Sequence, residues 1–142
     1  MSDAPIPSVV AMLICERVIV EQGTGAKSLI GVFENLNSPF FPAPTHISLY
    51  AKLLDADGHY NFLVRLVSLL DEMEIVKTEA PNVVAKPPNA TEIVINFAGL
   101  PLPSPGKYEF QLWADGIFLH RATMNAILIQ GGPQWPQPQS RQ

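Results

Sequence analysis

Pro105-Gly106-Lys107-Tyr108-Glu109-Phe110-Gln111-Leu112-Trp113-Ala114-Asp115-Gly116 decides the fold. Tyr108, Phe110 and Leu112 fall on one side of an extended chain, and Lys107, Glu109 and Gln111 on the other. A period of two is the signature of a strand with one wet face. Asp115-Gly116 then supplies the positive φ of a tight hairpin, and an apolar run resumes at Ile117. The class expected is all-β, a single antiparallel sandwich.

The rest of the chain repeats the pattern. Val9 to Val20 reads as a first strand and Lys27 to Leu36 as a second, with Gly23-Thr24-Gly25 turning between them. In His46 to Leu54, Ile47, Leu49, Ala51 and Leu53 alternate with Ser48, Tyr50 and Lys52. Asp55-Ala56-Asp57-Gly58 reads as a hairpin turn into Tyr60, Phe62, Val64 and Leu66. Asp71 to Lys77 reads as a short edge strand or a loop, and Ile93, Ile95 and Phe97 mark a further strand. Lys107 to about Ile129 forms the closing hairpin. No segment holds helical spacing with caps, so about seven or eight strands and no helix are expected. The prolines cluster in Pro39–Pro44, Pro81–Pro88 and Pro101–Pro105, which suits connections because proline cannot donate to a ladder.

The chain has 142 residues, which suits one domain. Residues 1–8 read as a proline-containing lead segment, 9–130 as the sandwich, and 131–142 as an extended or disordered Pro/Gln-rich tail. Hydrophobic residues reach 47 % while charged ones are only 15 %, which argues against disorder and for a surface that a partner covers. Net charge is −4 and the basic residues stand singly, so nucleic acid is not an expected partner. Apolar runs are too short for a membrane helix, and Asp3 with two nearby prolines replaces a signal peptide's basic start. A cytoplasmic location is expected. Cys15 is the one cysteine, so no internal disulfide forms; it sits in an apolar run and reads as a small buried hydrophobe.

Leu13-Ile14-Cys15-Glu16, Lys27-Ser28-Leu29-Ile30-Gly31-Val32-Phe33, Phe41-Pro42 and the opening Pro105–Gly116 stretch stand in an order that resembles a bacterial family of unknown function, DUF6941. The resemblance runs from about Leu13 to the last strand, and its second motif is the most specific. It implies a small immunoglobulin-like β-sandwich and carries no known activity or catalytic residue.

Motifs for chemistry are missing. Gly23 to Ser28 resembles the end of a phosphate loop, but Ala26 stands where glycine must precede the lysine, and a strand follows instead of a helix. Asp55-Ala56-Asp57-Gly58 resembles a calcium loop whose twelfth position should be Glu and is Leu66. If the strands holding His46 and His59 form a hairpin, those histidines stand roughly 25 Å apart at ~3.3 Å per residue. His120 leaves two ligands at most, a poor metal site. Neither a nucleophile elbow nor a His-Glu-x-x-His motif occurs. No catalytic residue, metal or cofactor is therefore assigned.

Four aromatics remain as candidate interaction residues. Phe40 and Phe41 lie in a proline-rich loop, where Phe41 either plugs the open end of the sandwich or anchors a partner. Trp113 falls on the polar face of its strand, to pack on a neighbouring loop or a second subunit. Trp135 sits in the tail, where Gln134-Trp135-Pro136 suits docking as an extended peptide. The expected function is a non-enzymatic module that self-associates or docks on an unidentified protein. The alternative is a sandwich that binds a small molecule or carbohydrate, or a hydrolase built from loops.

Overall fold

The computed structural model describes residues 4–130. Nine strands and no helix occur among them: β1 (Ser8–Val20), β2 (Lys27–Val32), β3 (Asn35–Ser38), β4 (Ala43–Leu54), β5 (Gly58–Ser68), β6 (Glu74–Ala85), β7 (Thr91–Leu102), β8 (Gly106–Ala114) and β9 (Ile117–Leu128). They form two sheets, β2-β1-β4-β7 and β3-β9-β8-β5-β6. Tyr108, Phe110 and Leu112 are buried as their alternation requires, and face Ile47, Leu49, Leu53, Ile93 and Phe97 of the other sheet in one core.

The strand order is that of an immunoglobulin domain. β1-β4-β7 follow A-B-E, and β9-β8-β5-β6 follow G-F-C-C′. Tyr108, near the start of the F-like strand, donates its hydroxyl proton to Ser104 O at 2.6 Å and accepts from Ser104 N at 3.3 Å. This is the tyrosine corner that locks the E–F connection of such sandwiches. Tyr108→Phe should cost about 1–3 kcal/mol, because the Ser104 carbonyl loses its donor in a buried corner. A lower urea midpoint with an unchanged slope would show it.

The structure corrects the sequence reading at five places. The segment Lys27 to Leu36 is two strands in different sheets. Phe33 N donates to Ile14 O of the first sheet, whereas Glu34 O accepts from Asn125 N of the second, so the chain changes sheets between adjacent residues. β4 and β5 likewise belong to different sheets, so Asp55–Gly58 is a crossover and not a hairpin turn. Asp55 (φ 64°) and Gly58 (φ 120°) supply its left-handed bends. The span Asp71 to Lys77 contains only the start of β6, a long edge strand. Three prolines sit within strands: Pro81 at a register shift on edge strand β6, and Pro44 opposite Pro101 where β1 no longer flanks β4. The split at Phe33 brings the strand number above the expected seven or eight.

Candidate interaction surfaces

The singled-out aromatics do not converge. Phe40 and Phe41 occupy the β3–β4 loop. Ser38 Oγ donates to Phe40 O at 2.7 Å and accepts from Phe40 N at 3.3 Å, which turns Phe41 onto the core and leaves Phe40 60 % exposed. Trp113 lies on the outer face of the five-stranded sheet, half-buried. It packs edge-on against Phe118 of β9, with centroids 5.4 Å apart, and donates Nε1–H to Gln111 Oε1 at 3.2 Å. Its partner is therefore a cross-strand neighbour and not a loop. Phe118 pairs at one end of β9 and Leu128 meets Ser38 at the other, ten residues or roughly 33 Å away. Trp135 lies outside the described residues.

A surface the sequence reading missed is the arm formed by the second half of β1 and β2. Ala11 pairs with Lys52, which pairs with Glu92, whereas Lys27 pairs with Val20, roughly 30 Å further along a straight β1. Yet Lys27 Nζ meets Glu92 Oε1 at 2.7 Å. The hairpin must bend back over the outer face of the four-stranded sheet. Burial agrees: Ser48 and Tyr50 point outward by alternation and are nonetheless buried. Gly31 marks the bend, with φ 69° and the Glu16 side chain so close that a Cβ would lie 2.6 Å from its Cδ.

Beneath the arm, Tyr50 donates its hydroxyl proton to Glu92 Oε2 at 2.5 Å. Burial and this carboxylate push the Tyr50 pKa up to about 12. The hydrogen bonds from Lys27 and Tyr50 hold the Glu92 carboxyl below its usual range. Cys15 is fully buried, and burial pushes its thiol up despite the bond it donates to Arg17 O at 3.4 Å. It is protonated and shielded, the opposite of a nucleophile.

One side of the arm carries Ile19 (45 % exposed), Ile30 (37 %) and Val32 (47 %) beside Arg17, while Val20, 53 % exposed, lies on the other side. At the end of the sandwich where β1 begins, residues 4–7 border a half-open cleft of about 540 Å³ between Ile6, Tyr60, Ile117 and Leu119, with Asn61 and Asp115 at hand. Tyr60 Oη anchors the leading segment by donating to Pro5 O at 2.6 Å. Among the described residues no group of three or more His, Cys, Asp or Glu is placed to hold a metal ion. No helix there is long and apolar enough to cross a membrane.

No curated protein matches the sequence. Residues 10–127 match a family of unknown function, DUF6941. The chain belongs to this family. The matched span covers the arm and every later strand, and the family resemblance at Lys27–Phe33 falls on β2 and its exit from the sheet. Solved structures with a similar fold include the C-terminal domain of Wzt, at 11 % identity and TM-score 0.53, covering 92 % of this DUF6941 chain and 83 % of that one. An immunoglobulin-like protein from Pseudomonas aeruginosa shares 13 % identity at TM-score 0.44, covering 88 % and 99 %. A putative β-galactosidase from Bacteroides fragilis shares 13 % at TM-score 0.46 over 64 % of this chain, which spans 15 % of its length. At such identities the likeness to the Wzt domain speaks of fold alone.

Proposed function

We propose that this DUF6941 chain is a non-enzymatic protein-interaction module whose contact surface is the arm. The observation that carries this reading is one side of the arm, where Ile19, Ile30 and Val32 face solvent on two paired strands. Clustered exposed apolar side chains mark sites that a partner covers. The low charge of the chain points the same way. The test is retention of a protein from the native lysate, or self-association, by the immobilised full chain. Ile19→Asp combined with Ile30→Asp should abolish the specific binding while far-ultraviolet circular dichroism stays unchanged. Removal of residues 131–142 asks separately whether the tail contributes. The absence of both a retained protein and self-association would reject the reading.

A second reading rests on the cleft beside residues 4–7. Its volume and mostly apolar walls fall within the range of small-ligand sites. An apolar ligand found by thermal shift, and lost with Ile117→Arg, would support it over the arm.

A further inference from the structure

We infer that a cavity between Glu16 and His46 binds an alkylammonium or alkylguanidinium group. The inference goes beyond the interaction-module reading and uses none of Ile19, Ile30 and Val32. Two departures of the backbone make the cavity. β1 pairs with β4 as far as Cys15 opposite Ser48, and Glu16 is its first residue off that ladder. The flank of β4 at Thr45 and His46 is therefore left without β1. On the return, the chain leaves the first sheet at Phe33 and enters the second as β3. Between these departures lies a cavity of about 470 Å³, lined by Glu16, Phe33, Asn35, Leu36, Asn37 and His46.

Glu16 decides the charge of the ligand. No lysine or arginine lines the cavity among the described residues. Arg17 falls on the arm's other side, opposite Ile30. A phosphate or carboxylate would thus meet a bare negative charge, and the net charge of −4 draws cations to the chain. Glu74, Glu92 and Glu109 each have a basic partner. Among the described residues the Glu16 carboxylate has none, and neither the Asn37 amide nor the His46 imidazole makes a hydrogen bond. The carboxylate is also set in place. Gly31 admits the Glu16 side chain where a Cβ would lie 2.6 Å from its Cδ. A group already placed loses little freedom when its ligand arrives. Asn35 is fixed as well, since its Oδ1 accepts from Asn125 Nδ2 at 3.0 Å. Asn37 and His46 offer acceptors for the remaining N–H groups of a cationic head. Phe33 and Leu36, both half-buried, wall the space for an alkyl stem, and an aromatic wall favours a cation over a neutral head.

Titration of the isotope-labelled full chain with butylamine, and separately with Nα-acetyl-lysine methylamide, tests this by two-dimensional amide NMR. Butyrate and butanol carry a similar stem without the positive charge. The expected result is a set of saturable shifts at Glu16, Phe33, Asn35, Asn37 and His46 with the cations and none with butyrate. Glu16→Gln keeps the shape and removes the charge, so it should weaken binding about tenfold or more, the loss of one hydrogen bond to a charged group. Asn37→Ala is the second variant and should weaken binding by a smaller factor, each with unchanged circular dichroism. Tighter binding of the blocked lysine assigns the cavity to a basic side chain of a peptide, and tighter binding of butylamine assigns it to a free amine. The absence of saturable shifts with either cation overturns the inference. So does binding that survives Glu16→Gln undiminished, or butyrate binding as well as butylamine.

Discussion

Phe110→Ala is expected to destabilise the chain by about 3–5 kcal/mol, the range for truncating a buried phenylalanine. Whole-domain stability is about 5–15 kcal/mol, so this one change removes about a fifth or more of it. The ring is fully buried, and its centroid lies 5.4 Å from that of Phe97 on the opposite sheet. Alanine here leaves a void that both sheets line, and neither sheet can collapse into it without bending its hydrogen-bonded strands. Phe110→Leu separates the contributions. It keeps most of the volume and loses the aromatic pair, so it should cost about 1–3 kcal/mol from mispacking and the lost ring contact together. Urea denaturation of the two variants gives both numbers. A loss below about 1 kcal/mol for alanine, less than cavity formation permits, would mean that the two sheets do not close on each other at this layer.

The same residue shows how far the sequence could be read. Its burial follows from alternation with Lys107, Glu109 and Gln111, because solvent lies on one side of a sandwich sheet and the core on the other. The tyrosine corner two residues earlier was not legible, since the Tyr108 hydroxyl bonds to a backbone carbonyl and no side chain signals it. The break at Phe33 was hidden for a similar reason. Apolar residues run from Leu29 to Phe33 and resume at Leu36 after Glu34 and Asn35, and the diverging backbone bonds of Phe33 and Glu34 separate the strands. Pro81 made β6 look like a loop, although an edge strand with a bulge accommodates a residue without a donor. Among the candidate residues, the outward position of Trp113 was legible. Its contact with Phe118 was not, because a one-residue register shift between Leu112 and Trp113 sets that pairing. The arm left no local trace at all. Ser48 and Tyr50 read as solvent-facing, and the ion pair that shows them covered joins residues 65 apart.

Glu92→Ala is expected to cost about 1–3 kcal/mol, mostly through Tyr50. Two interactions end at this carboxylate. The ion pair with Lys27 is partly open to water and is worth about 0–1 kcal/mol. The Tyr50 hydroxyl is buried under the arm, so losing its acceptor leaves an unsatisfied donor, which decides the size of the effect. Tyr50→Phe in the Glu92→Ala background removes that orphan and should recover stability. A double-mutant cycle therefore measures the coupling directly. Stability against pH must bend at both ends. The Glu92 carboxyl is held below its usual value in the folded chain, so its contribution is present above the unfolded carboxylate range and fades as pH falls through the folded value. Tyr50 titrates at about 12 when folded, above its unfolded value near 10, so its contribution is present below about pH 10 and is lost as pH rises towards 12. Tyrosinate absorbance at 295 nm, compared between wild type and Tyr50→Phe, isolates this titration. A Tyr50 component with a midpoint near 10 would mean that the arm does not cover the hydroxyl. Lys27 would then be free of Glu92, and the apolar side of the hairpin would stand away from the sheet.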